Sequence, residues 1–285
     1  MTVAIITDSG SDLTPAQLAD NDIRQVPLSV TFGEETLLSP DEISPEAFWA
    51  RMSDPEAPFP HTAAPSVGLF KQAFEKAFDD GHDSVVCICL SADLSSTIRH
   101  AQMAKEMLAT RRIFLVDSRS ASMAEGALAL RGAALAREGL PAAEIYSRLQ
   151  DLRADIDLYV GLDTLDYLRK GGRIGHAKAA IGGLLAIKPI LTVAEGVVVV
   201  TDQPRTRSKA VERVLELMTD RPVTELHLLF SPPADIDTFR AALLDQLPDP
   251  APKVVTTQMV GPVIGVHIGP GIYGGILVRE LSREP

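Results

Sequence analysis

Cysteine is nearly absent: the 285 residues contain two, Cys87 and Cys89. That excludes a disulfide framework and points to a reducing compartment, so a cytoplasmic protein is expected. The two lie one residue apart in the apolar run Ser84–Leu90, hence on one face of a strand, and core packing accounts for them better than metal or redox work. Positive charge is also short, with 27 basic against 38 acidic side chains and a net charge of −11. Nucleic-acid binding normally needs a basic surplus and is disfavoured, as is broad docking onto anionic lipid. No apolar run approaches the roughly 18 residues that cross a bilayer, so no membrane span is expected. The opening stretch MTVAIITDSG lacks a basic segment and soon turns polar, so it is not expected to be a secretory signal.

Apolar residues, by contrast, make up 46% of the chain, enough for a sizeable core. At about 150 residues per domain the length suggests two domains or one large one. The first half alternates apolar runs with helical patterns, as an α/β domain with a mainly parallel sheet does. Strands are predicted at Val3–Thr7, Val26–Phe32, Ser84–Leu90, Arg112–Val116 and Leu158–Leu162. Helices are predicted from Ser44-Pro45, from Ser66 to Gly81, and over an Ala-rich stretch from Ser120 to Glu138. That Ala- and Gly-rich helix leaves room for an acyl chain or packs closely on the sheet; both readings stand. The second half changes character. Ile190–Val193 and Val197–Thr201 flank Ala194-Glu195-Gly196, which predicts an antiparallel hairpin. A basic helix follows, then strands at Glu225–Ser231 and Val254–Val260 around a helix over Ile236–Leu247. The expected organisation is two α/β domains, residues 1–156 with a doubly wound parallel sheet and residues 157–285 with a mixed or antiparallel one.

Three strands of the first half end in small hydroxyl and acidic residues: Asp8-Ser9, Ser91 with Ser95-Ser96-Thr97, and Asp117-Ser118. Doubly wound sheets bind ligands outside the carboxyl ends of their strands, often at a helix N-terminus. Thr62 similarly precedes a helix. Any one serine is better explained as a helix cap worth about 1 kcal/mol; three such strand ends together favour a pocket for an anionic head group. Familiar catalytic templates are missing. Gly269-Pro270-Gly271-Ile272-Tyr273-Gly274 matches GxGxxG, but it sits too near the end of the sequence and contains Pro270, so a turn between strands is expected. There is no phosphate loop, no HExxH spacing, no GxSxG elbow and no carboxylate cluster for a metal. A serine–histidine hydrolase has no local support, although such triads assemble across sequence. His267, flanked by glycines and aliphatics, is either a satisfied core histidine or a ligand contact.

Several segments add up to a family: TDSGSDL (Thr7–Leu13), PHTAAPS (Pro60–Ser66), LSADLSSTIRHA (Leu90–Ala101), VDSRSASMAEG (Val116–Gly126), DTLDYLRKGGRIG (Asp163–Gly175), LLAIKPIL (Leu184–Leu191) and IGVHIGPG (Ile264–Gly271). Each is modest alone; together they span nearly the whole length and are specific. In them the chain resembles the DegV family, bacterial fatty-acid-binding proteins that serve as carrier subunits of fatty acid kinase. The resemblance implies a two-domain α/β protein that holds one long-chain fatty acid, its carboxylate between the domains and its tail in an apolar tunnel. It implies head-group contacts from Thr62, Ser95 and His267, with Ser96 and Arg173 as further candidates. The kinase is then a separate protein that supplies ATP and metal chemistry, so the carrier is no enzyme and needs no cofactor. Two departures bear on the head group: Ala63 and Ala64 stand where the family often has serine and glutamine, and Ser96 where it favours glycine.

Burying about fifteen methylenes at about 0.8 kcal/mol each gives at most about 12 kcal/mol before ordering costs. A carboxylate at a helix end with a few hydroxyl donors adds about 1–2 kcal/mol. The tail supplies affinity and the polar residues decide which end faces out. The basic stretch Arg205-Thr206-Arg207-Ser208-Lys209 with Arg213 reads as a solvated helix face; if the resemblance extends to the kinase, Arg205 and Arg207 meet that partner or nucleotide phosphates. Two other readings remain: a serine–histidine acyl hydrolase or transferase using Ser95 and His267, and a structural module without a ligand.

Overall fold

The fold is mixed α/β and rests on three sheets; the computed structural model describes residues 2–177 and 187–279. The chain begins with β1 (Val3–Asp8), α1 (Pro15–Asp20), β2 (Ile23–Val26), β3 (Leu28–Phe32), β4 (Glu35–Ser39), α2 (Pro45–Met52) and β5 (His61–Ala63). Next come α3 (Val67–Asp79), β6 (Ser84–Cys89), α4 (Thr97–Met107), β7 (Ile113–Asp117), α5 (Met123–Arg137) and α6 (Ala142–Leu152). The remainder comprises β8 (Ile156–Gly161), α7 (Asp166–Lys170), β9 (Ile190–Ala194), β10 (Val197–Asp202), α8 (Arg207–Met218), β11 (Glu225–Phe230), α9 (Ile236–Gln246), β12 (Val254–Met259), α10 (Pro262–Ile268) and β13 (Tyr273–Val278). Within the LLAIKPIL segment, Leu184–Ala186 lie outside the described residues. Among the described residues no helix is long and apolar enough to cross a membrane.

The first sheet, in order β2-β1-β6-β7, is parallel throughout. β1 and β6 are buried at every position because helices cover both faces, which is why they read as continuous apolar runs. Phe70, Phe74 and Ala101 of α3 and α4 pack on one face with Cys87 and Cys89, whose Sγ atoms are 3.7 Å apart. Ile145 and Leu149 of α6 join α5 on the other. The strand order reverses between β1 and β6, the switch point where such sheets bind ligands.

The second sheet, in order β10-β9-β8-β13-β11-β12, takes strands only from Ile156 onward. It is mixed: only β11 and β12 run parallel. Its hairpin turns at Glu195 (φ 52°) and Gly196 (φ 86°), two successive left-handed residues that match a primed turn. One face packs under α8 and α9. The other, with Leu158, Val160, Leu191 and Val198, turns toward the first sheet. α5 lies between them, and its first half, Met123–Ala129, is buried at every position, Glu125 included. A Cβ on Gly126 would stand 2.8 Å from the Ser11 carbonyl oxygen, so close packing is what this Ala- and Gly-rich helix provides.

Three expectations need correction. Val26–Phe32 is not one strand: Pro27 lacks the N–H a ladder needs, so the chain breaks there and β3 joins a third sheet, β4-β3-β5. The helix expected from Ser120 starts at Met123, because Arg119 (φ 52°) and Ser122 (φ 57°) hold the preceding loop out of helical conformation. Gly269–Gly271 turns between a helix and a strand, not between two strands. Gly261 caps α10, Pro262 occupies its first position, and apolar Val263 and Val266 face inward.

Candidate functional site

Between the carboxyl ends of the first sheet and the inner face of the second lies a cavity walled mostly by apolar side chains, as ligand sites usually are. Leu158 and Val160 of β8, Leu191 and Val193 of β9, and Val198 of β10 line its floor. Leu90, Leu94 and Ala121 come from the loops after β6 and β7; Val263, Ile264 and Ile268 come from α10. Its polar lining includes Thr62, Ser95, Ser122, Arg173 and His267. The ends of β6 and β7 therefore supply wall, as strand-end chemistry suggested. The end of β1 does not: Asp8 and Ser9 are buried and bond backbone, Ser9 Oγ taking the Leu28 N–H at 2.8 Å.

Each polar group is placed by a specific local structure. Thr62 sits on β5, which pairs with β3 at Val30. His267 occupies the last turn of α10, and its Nε2 lies 2.9 Å from Thr62 Oγ1. That helix can approach because Gly265 has no side chain; a Cβ there would stand 2.5 Å from the Phe48 ring. Gly171 makes room for the imidazole in the same way, its missing Cβ lying 2.3 Å from Nδ1. Arg173 donates through Nε to the Leu94 carbonyl (3.2 Å) and through Nη1 to that of Gly171 (2.8 Å). Ser95 Oγ takes the Thr97 N–H at 3.3 Å just ahead of α4 and pairs with Thr97 Oγ1 at 2.8 Å, while its residue also lines the cavity. Ser96 is exposed and is absent from the cavity wall.

His267 Nδ1 is buried without a hydrogen-bond partner. Burial first, then the Arg173 guanidinium and His61, pull the imidazole down to about 4, so it is neutral at pH 7. When Nε2 carries the proton it donates to Thr62 Oγ1, and the threonine hydroxyl is then free to donate to an anion. The cluster thus offers two hydroxyls and a guanidinium beside a largely apolar trough, which suits a carboxylate with a long hydrocarbon tail. Among the described residues no His, Cys, Asp or Glu group is arranged to hold a metal ion.

Sequence reasoning missed the residues behind the wall. Asp12 accepts the Gly261 N–H at 3.0 Å and the Ser122 hydroxyl at 2.5 Å, so one buried carboxyl joins the starts of α5 and α10. Desolvation pushes Asp12 up to about 7. Asp8 is likewise raised to about 7 and Glu125 upward, again chiefly by burial, and the like charge of each bears on the other. Asp8 alone left a sequence signal, an acid at the end of a strand; Asp12 and Glu125 left none. Of the basic stretch, Arg205 is exposed, whereas Arg207 is held in the fold by Asp163 at 3.1 Å and the Gly271 carbonyl at 3.2 Å.

Comparison with known proteins places this arrangement. A family model described as "Uncharacterised protein, DegV family" matches residues 2–280. A DegV domain-containing protein of Streptomyces coelicolor is 35% identical over 282 residues, which is 96% of this chain and 98% of that protein. A solved DegV family protein from Thermus thermophilus, described as fatty acid binding, superposes with a TM-score of 0.90 at 30% identity, covering 98% of this chain and 100% of the other. A stearic acid-binding protein from Eubacterium ventriosum gives a TM-score of 0.86 at 26% identity, covering 97% and 98%.

Proposed function

The chain belongs to the DegV family, and from that premise we propose that it carries one long-chain fatty acid and presents the carboxylate to a separate fatty acid kinase. Residues 1–156 and 157–285 act as the two domains that enclose the ligand. The observation that carries this reading is the cavity itself, apolar along its floor, with Thr62 bonded to His267 and with Ser95 and Arg173 also on its wall. Fatty acid binding by the solved relatives from Thermus thermophilus and Eubacterium ventriosum supports it. Thr62, Ser95 and Arg173 donate to the carboxylate, and neutral His267 orients Thr62. The tail supplies most of the affinity at about 0.8 kcal/mol per buried methylene. Denaturing mass spectrometry of the purified protein is expected to release one fatty acid per chain; an empty cavity overturns the reading.

A serine–histidine hydrolase would need Ser95 Oγ against the imidazole and a carboxylate behind it. Here His267 Nε2 bonds Thr62, its Nδ1 has no partner, and Ser95 Oγ bonds Thr97. That geometry favours a carrier, and no labelling by a fluorophosphonate probe is expected. For the kinase, exposed Arg205 is the better docking contact, since Arg207 is taken up internally. Arg205→Glu should slow kinase-dependent turnover and leave fatty acid binding unchanged.

A further inference from the structure

We propose that Val193 sets the longest acyl chain this protein accepts, because it separates the apolar cavity from a second, polar chamber; the inference rests on the fatty-acid reading above. The second chamber is lined by Ser118, Arg119, Ser120, Gln150, Arg153 and Glu195, with a few apolar neighbours. Val193 lines both spaces.

Strand periodicity makes the two spaces successive sections of one trough. Alternate residues of a strand share a face. On β8, Val160 and Leu158 line the first cavity and Ile156 the second. On β9, Leu191 lines the first and Val193 both; Glu195, in the hairpin turn just past the strand, lines the second. From Leu158 to Ile156, two residues at about 3.3 Å each, the trough runs on about 7 Å past the apolar section. Its cover continues too: Ala121 and Ser122 precede α5 over the first cavity, and Ala124 and Leu128 of α5 itself lie over the second.

What changes at Val193 is chemistry. Beyond it, Arg153 donates to the carbonyls of Asp117 (2.8 Å) and Gln150 (3.2 Å), and Arg119 pairs with Glu195 at 2.5 Å. A hydrocarbon end pushed past Val193 would strip water from these groups and give no hydrogen bond in return. The terminal methyl therefore stops at the valine. Chains that fit gain with each methylene; the first chain that overruns gains nothing further.

The test compares the parent with Val193→Ala and Val193→Phe. Fatty acids released from each protein are sized by denaturing mass spectrometry, and affinities are measured for a homologous series of saturated acids. The parent's affinity should rise with length to a maximum and then level or fall. V193A should move that maximum to a longer acid, and V193F to a shorter one, with the parent's best acid bound about tenfold or more weakly. V193A removes atoms from a half-buried strand position, so it remains informative if the larger phenylalanine prevents folding. A loaded parent whose folded variants keep the same length preference overturns the role of Val193 alone. A parent that binds no acid overturns the carrier reading, and this inference with it.

Discussion

A neutral imidazole beside a carboxylate is a hydrogen-bonding partner rather than an ion-pairing one, and His267 is kept neutral by its surroundings. Its value falls from 6.5 to about 4, so the unfolded chain binds a proton between those values that the folded chain refuses. Stability from this residue is complete above about 6.5 and is lost as pH falls toward 4, by up to about 3 kcal/mol. His267→Gln should remove that share of the acid-side loss, read from urea unfolding at a series of pH values. It should also weaken fatty acid binding about tenfold through the lost orientation of Thr62. The buried carboxyls act with the opposite sign. Asp8 rises from 3.8 to about 7, so folding favours its protonated form and stability declines as pH climbs through that interval. Glu125→Gln keeps an acceptor for the Thr7 hydroxyl, now at 2.7 Å from Glu125, while removing the like charge beside Asp8. Its melting temperature should therefore fall less steeply than the parent's on the alkaline side. These residues were the hardest to read in the sequence, since an acid after a strand has the same pattern whether it meets water or another carboxyl.

Elements with long apolar runs were legible. β1, β6 and the β9–β10 hairpin follow from composition and turn chemistry, because burial on both faces or a primed turn leaves a local trace. β5 and α10 left almost none: they span His61–Ala63 and Pro262–Ile268, too short for periodicity to decide, and tertiary contacts hold them. Yet they carry Thr62 and His267, so these two residues stood out by motif while the elements that bring them together did not. Packing shows what fixes α10. Gly265 faces Phe48 at 2.5 Å from a virtual Cβ, and the Trp49 indole N–H donates to the Val260 carbonyl at 2.8 Å. Gly265→Ala must shift the helix or the ring, which should cost about 1–3 kcal/mol by overpacking and weaken fatty acid binding through displaced His267. Chemical denaturation and a binding titration on the same protein check both. If binding is untouched while stability falls, His267 does not depend on that seat. The hairpin has a comparable anchor. Ser91 Oγ donates to the Gly196 carbonyl at 2.7 Å, fastening its tip to the loop after β6 and closing the trough on that side.

At the scale of the whole molecule, sign of charge and chemistry of the ligand oppose each other. The chain carries a net charge of −11, and the ligand proposed for it is an anion. Long-range attraction therefore cannot gather fatty acid to the cavity. Once the head group is inside, Arg173 and the hydroxyls act over hydrogen-bond distances, where the surrounding ions screen little. Capture and retention thus respond differently to salt. Screening shortens the reach of the repulsive field to about 10 Å at 0.1 M ionic strength, which removes most of the barrier to approach. Retention depends on buried methylenes and on local donors, and neither is weakened appreciably by simple salt over that range. The association rate of a fluorescent fatty acid, followed by stopped flow, should accordingly rise with sodium chloride at low ionic strength while the dissociation rate stays nearly constant. A rate that falls with salt would mean that the field at the mouth is set by Arg173, on the cavity wall, and not by the acidic surface around it.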